Sequence, residues 1–422
     1  MKRRTYLAAA LVALLFAWTT ADAREWLVRS GDRIGAAIEA AAAGDTVTVE
    51  RGLYEEHLVI AKPLVLKGLG RPTISGGDTG DVIRVKAKDV TIDGLIVRDS
   101  GDDLTAQNAG IYVEPGSHRV KVVDCVLAYT LFGIWLEKVD DAEVRGNIIT
   151  GKRDHPSAQR GNGIQLYDTN RAQIVDNNIS FARDGIYVDL SHHARFVGNE
   201  IHHLRYGTHY MNSYYNIWEN NESYLNRGGL ALMEVRNQVV RNNRAWGNTD
   251  HGIMLRTIQD SVIENNVVAG NNRGLFIYDA ERNIIKGNLV IGNRVGAHVA
   301  AGSYRNEVDG NDFIRNEQQV RYVATRDERW GGRSGNYWSN YLGWDADGDR
   351  IGDVRYEAND LVDRLAWKYP MARLLLDSPA VHTLRVIAQG FPILRTPSVV
   401  DLRPRMMPYH SNWSDWLGFQ RH

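Results

Sequence analysis

Residues 177–199 read NNISFARDGIYVDLSHHARFVGN, and this stretch decides the architecture. It opens and closes on asparagine, 22 residues apart, with Gly185 between them and a short alternating run, Gly185-Ile186-Tyr187-Val188, behind the glycine. Working outward, the glycine recurs at Gly110, Gly133, Gly163, Gly207, Gly229, Gly252, Gly274 and Gly296, and the full series has steps of 23, 30, 22, 22, 22, 23, 22 and 22 residues. The asparagine recurs at Asn147, Asn177, Asn199, Asn221, Asn243, Asn266, Asn288 and Asn311 with nearly the same steps. Two residue types holding one period mark a solenoid. Within each period the alternation of Gly133-Ile134-Trp135-Leu136 sends Ile134 and Leu136 inward and Trp135 outward. A single coil cannot cover its own apolar face, so coils stack about 4.8 Å apart and share one core. The expected fold is all-β, a right-handed parallel β-helix of ~22-residue coils. Glycine is expected where a corner needs φ > 0. Asparagine is expected at turns, tolerating left-handed backbone and hydrogen-bonding up and down the stack.

The ends differ from the repeat. Lys2, Arg3 and Arg4 precede an apolar run from Leu7 to Trp18, and Ala21-Asp22-Ala23 supplies a cleavage pattern, so residues 1–23 read as a secretory signal peptide. A short alanine-rich helix over Asp32–Ala43 then covers the open end of the core, with a first strand at Gly44–Val49. Residues 24–325 form the β-helix. From Arg326 the composition turns to Trp, Tyr, Asp, Pro and Arg, which marks residues 326–422 as a C-terminal capping and partner-docking region. Charge is balanced, 50 basic against 51 acidic residues, and no basic stripe offers itself to nucleic acid. The one cysteine, Cys125, has no disulfide partner within the chain and reads as a small buried apolar residue on a strand.

The glycine register aligns the outward positions. Two residues after the glycine the column is Tyr112, Trp135, Gln165, Tyr187, His209, Ala231, Met254, Phe276 and His298; four after, it includes Met211 and Met233. Of the seven methionines, the three within the mature β-helix all fall in this one patch around His209. Thioether and imidazole suit Cu(I); the same residues also suit an adaptable protein-docking surface. The 30-residue step marks an inserted loop, Lys152–Arg160, in which Arg153, Asp154, His155 and Arg160 could serve a partner or act as acid, base and anion clamp. The paired histidines His192-His193 and His202-His203 read as solvated turn residues. Asp345, Asp347, Asp349 and Asp353 have the spacing of a Ca²⁺ loop, although Arg350 stands where a turn glycine is usual and Tyr356 where a last acid is usual. An Asx-turn loop closed by its own hydrogen bonds is the alternative.

The runs Gly335-Asn336-Tyr337-Trp338-Ser339-Asn340-Tyr341 and Asp345–Asp353, together with Arg153-Asp154, Arg160–Ile164 and the tail Ala380–His382 to Asp401–Pro404, resemble the NosD family of periplasmic nitrous oxide reductase maturation factors over essentially the whole mature chain. The resemblance implies a periplasmic protein that is no enzyme. It would work with an ABC-type ATPase and a membrane permease, receive Cu(I) transiently from a copper-chaperone lipoprotein and present it to nitrous oxide reductase. On that reading His209, Met211, Met233 and Met254 become the transfer site and the tail docks on the permease. The competing reading from residues alone is a secreted polysaccharide lyase or epimerase that works on acidic glycans through the Arg153–Arg160 loop. A purely structural, adhesin-like solenoid is a third.

Overall fold

The computed structural model describes residues 23–300, 302–323, 327–358, 369, 371, 378–390 and 398–418. The signal-peptide segment up to Asp22, and most of the apolar stretch Leu361–Leu376, lie outside the described residues.

The chain winds into three parallel sheets of 13, 12 and 13 strands. One coil runs through Thr91–Asp93 on the first wall, Ile96–Arg98 on the second and Ala109–Val113 on the third, then returns to the first at Lys121–Val123. Each strand pairs in register with its equivalent one coil away. Along the third wall the pairs run Tyr112↔Trp135, Trp135↔Gln165, Gln165↔Tyr187, Tyr187↔His209, His209↔Ala231, Ala231↔Met254, Met254↔Phe276 and Phe276↔His298. Ile134, Leu136, Ile186 and Val188 point into one continuous core. Trp135 points outward yet is buried, because Tyr112 stacks on it and Phe132 meets it edge-on.

The ladder asparagines hydrogen-bond up and down the stack as expected, but neither ladder residue takes the left-handed backbone expected of it. None of the nine ladder glycines has positive φ. They are glycine because their Cβ would strike the core and the next coil: a Cβ on Gly185 would sit 2.3 Å from Ile201 Cγ2 and 2.5 Å from the carbonyl oxygen of Gly207. The ladder asparagines are likewise not left-handed. That conformation falls on the residue before each one, at Asp176, Gly198, Asn220, Asn242, Asn265 and Gly287 among others. The asparagines themselves are buried, and each side chain serves the next coil. Asn199 Nδ2 donates to Asn221 Oδ1 at 2.9 Å and to the carbonyl of Ile174 at 2.9 Å, while Asn199 Oδ1 accepts from Asn177. Each bond is worth about 1 kcal/mol net, and leaving one member unpaired inside the corner costs more.

Cys125 occupies the first place in this ladder, between strands and not on one, its N–H donating to Asn147 Oδ1 at 2.9 Å. Burial pushes its thiol pKa up to about 12, so it is chemically inert. At the other end Asn311 reaches Asn336, and Asn336 reaches Asp401 Oδ2 at 2.9 Å, so a tail carboxylate closes the ladder. Trp338 adds the last strand of the second wall and stacks between Phe313 and Tyr356 over the core. Trp413 and Trp416 pack against the outer patch of Leu289, Ile291 and Ile314. At the N-terminal end the first strand is Glu25–Val28, ahead of the helix, and pairs with Thr46–Val49. The helix spans Ile34–Ala40, with Ile34 and Ile38 buried in the core.

Candidate functional site

On the strand Tyr206–Met211, Thr208 and Tyr210 face the core, which leaves His209 and Met211 half-buried on the outside of the third wall. The pairing His209↔Ala231 and Tyr210↔Leu232, carried one residue further, sets Met211 beside Met233. Met254 lies two coils from His209 in the same column and is only 8 % exposed. Tyr187 Oη approaches Met211 Sδ at 3.9 Å.

His209 is held, not loose. Its Nδ1 lies 3.0 Å from Asp184 Oδ2 and 3.1 Å from Arg205 Nη2, while Asp184 Oδ1 accepts from Arg205 Nε at 2.8 Å. Burial alone would raise the Asp184 carboxyl, but the hydrogen bonds from His209 and Arg205 outweigh it and hold the pKa below the usual carboxylate value. With Nδ1 turned to Asp184, Nε2 is the nitrogen left for a ligand, the arrangement by which a carboxylate orients a metal-binding imidazole. The middle coil is thin here. A Cβ on Gly228 would come within 2.6 Å of His251, whose ring leans over the glycine toward Tyr206, 5.6 Å between centroids. His251 is fully buried on the Met254 strand, its Nδ1 is 3.7 Å from Asp250, and among the described residues neither ring nitrogen has a hydrogen-bond partner. Burial holds its pKa below the usual imidazole value.

Next to His209 the wall carries an open cavity of about 430 Å³, with Trp135, Gln165 and Tyr187 among its lining residues and Glu137 and Asp189 facing it.

The inserted loop binds mainly itself. Arg160 donates to the carbonyls of Arg153, His155 and Phe181 at 2.6, 2.7 and 3.1 Å, so its guanidinium shapes the loop. Asp154 accepts from Tyr129 Oη, and His155 lies 3.5 Å from Asp154 and 3.6 Å from Asp102. Arg153 is exposed. The anchor is Lys152, buried with its Nζ 2.6 Å from the Ser100 carbonyl and 2.5 Å from Asp102 Oδ1. In the C-terminal loop, ligand oxygens of Asp345, Asp347 and Asp349 lie within 4.8 Å of one another. Asp353 is outside this group and accepts from Ala346 N–H at 2.8 Å. Asp345 accepts from Gly348 and Arg350 N–H, as an Asx-turn loop does. His192 and His193 stack on Tyr214 and Tyr215, and His202 stacks on Tyr224.

Asp184, Arg205, His251 and Lys152 escape a reading by alternation. Asp184 and His251 each stand immediately before a ladder glycine, where strict period two predicts the core. The wall bends at the glycine, so Gly185 and Ile186 both face inward and Asp184 is turned to the outside, beside His209. Listing the residues before the glycines would have shown this second column: Phe132, Asn162, Asp184, Tyr206, Gly228, His251 and Arg273.

Fold and face together define a parallel β-helix that carries a histidine and methionines on the outside of one wall. Residues 146–343 match the family model described as periplasmic copper-binding protein (NosD). The chain is 40% identical over 371 residues to the probable ABC transporter binding protein NosD of Pseudomonas aeruginosa, covering 84% of this chain and 86% of that one. It is 37% identical to the protein of the same name from Stutzerimonas stutzeri, covering 84% and 85%. The chain belongs to the NosD family. Among solved structures, the A-module of the mannuronan C-5 epimerase AlgE4 of Azotobacter vinelandii matches with a TM-score of 0.54 at 17% identity, over 69% of this chain and 92% of that one. The Streptococcus pneumoniae adhesin PfbA matches with a TM-score of 0.53 at 12% identity, over 68% and 93%. These two share the fold alone.

Proposed function

We propose that the His209 face receives Cu(I) as cargo in the periplasm and passes it on toward the copper centres of nitrous oxide reductase. The observation that carries this is the Asp184-held His209 with Met211, Met233 and Met254 on the same and the next two coils. Two thioethers and an imidazole bind Cu(I) while leaving it exchangeable, and their softness discriminates against Zn²⁺ and Mg²⁺. The protein's work is binding and presentation, not turnover. A copper-chaperone lipoprotein is the donor, and an ABC-type ATPase with its permease supplies the energy for release. The relatives named as ABC transporter binding proteins support that association. A Ca²⁺ ion on Asp345, Asp347 and Asp349 is a separate reading, supported by their converging oxygens.

The test is a Cu(I) titration against a chromogenic chelator. The wild type should hold one Cu(I), and His209→Ala with Met211→Ala should lose it, whereas Met407→Ala, exposed in the tail, should not. A wild type that binds no Cu(I), or copper-replete nitrous oxide reductase in a strain lacking this gene, would sink the proposal.

A further inference from the structure

Where the second wall turns into the third, three consecutive coils carry arginine at one place: Arg183, Arg205 and Arg227, each two residues before its ladder glycine. The backbone stacks them, with Arg205 N–H donating to the Arg183 carbonyl at 2.8 Å and Gly228 N–H to the Arg205 carbonyl at 2.9 Å. Coils are about 4.8 Å apart, so the guanidiniums are close neighbours. With Arg160 and His203 they line an open cavity of about 500 Å³. Only Arg205 has a carboxylate, Asp184; among the described residues Arg183 and Arg227 pair with none. Like charges stacked in register repel. Such a column is disfavoured in the free chain and becomes favourable when an anion lies across it.

What kind of anion follows from the neighbouring cavity. Arg183 and Arg205 line both it and the groove beside His209. That groove presents Glu137 and Asp189, so a uniformly negative polymer such as a polyuronate meets repulsion there. A polypeptide can set carboxylates against the arginines and neutral or basic residues against the acids. The half-buried Tyr187 adds a flat ring to this groove, and rings of this kind are enriched where proteins meet proteins.

We propose that Arg183, Arg205 and Arg227 dock an acidic segment of a protein partner, which seats that partner beside His209. That the partner carries copper rests on the function proposed above; the docking does not.

The probe is a labelled peptide of six glutamates followed by an Asn/Gly/Ser half, titrated with the full chain by fluorescence anisotropy beside a labelled oligogalacturonate of equal charge. The peptide should bind, more weakly as salt rises. Arg183→Glu with Arg227→Glu should weaken it at least about tenfold, and Arg183→Lys with Arg227→Lys should keep most of the affinity. No peptide binding, or binding that charge reversal leaves unchanged, overturns the docking. Tighter binding of the oligogalacturonate through the same arginines overturns the protein partner in favour of a glycan. Cu(I) affinity, measured on the same samples, should be equal in all variants. A wild type that binds peptide but no Cu(I) would remove the copper reading and leave this one standing.

Discussion

At the turn between the second and third walls, two polar columns follow one another along the rod and meet on one coil, at Asn226 and Arg227. Inside, Asn226, Asn248, Asn271, Asn293 and Asn316 are buried, and each passes its donors and acceptors to the next coil. Outside, Arg183, Arg205 and Arg227 repeat with the same period, and among the described residues only Arg205 is paired with a carboxylate, Asp184. The contrast is between a column that is complementary to itself and one that is not. An amide is both donor and acceptor, so a stack of identical amides satisfies itself; a guanidinium only donates and carries charge, so a stack of them repels. Periodicity of a polar residue is therefore no guide to its role until its self-complementarity is asked. The inner ladder holds the rod together, and the outer one is available to something else.

The largest effect should come from the inner column. Asn248→Leu removes the acceptor of Asn226 N–H, the donor to Asn271 Oδ1 and the side-chain donor to the carbonyl of Ser223. It should cost about 3 kcal/mol, read as a fall in the urea midpoint. A loss below about 1 kcal/mol would mean the ladder is not what secures the corner.

Asp184→Asn comes next, because Asp184 belongs to both systems. The isosteric amide keeps the shape but loses the ion pair with Arg205, and stability should drop by roughly 2 kcal/mol at neutral pH. The wild-type Asp184 pKa is depressed. Its contribution is therefore full above the unfolded carboxylate pKa of about 4 and disappears as pH falls through the lower, folded value. The gap between the two urea midpoints should close on acidification; a gap that widens instead would contradict the assignment. Cu(I) affinity should fall about tenfold, since His209 loses the group that orients it.

The smallest effect should come from outside. Arg227→Gln removes one stacked charge and no ion pair, so stability should stay within about 0.5 kcal/mol of wild type, on the stabilising side. A clear destabilisation would show that the arginine column is structural after all.

Much of this was legible in the residues. The glycine series reproduces the third-wall register coil by coil, including the 30-residue step, so His209, Met211, Met233 and Met254 fall together as the spacing implies. The stacking of the asparagines was legible too, whereas the reason for the glycines was not. Glycine reads by default as a turn, but at Gly185 it is demanded by Ile201 and the next coil's carbonyl, both remote in sequence. The inserted loop shows the same limit: its charged residues looked free, and Arg160 proves to be engaged with three carbonyls of its own neighbourhood.

By itself the amino-acid order determined the period, the coil, the wall on which each side chain sits and the soft-donor face, because these depend on residue types repeating along one chain. Only the tertiary structure decided which polar columns are satisfied, that Asp401 from the tail terminates the asparagine ladder, and that Asp184 and His251 join the His209 face. Those outcomes depend on a bend in the wall and on atoms one coil away, and neither quantity is written in the local pattern of any single coil.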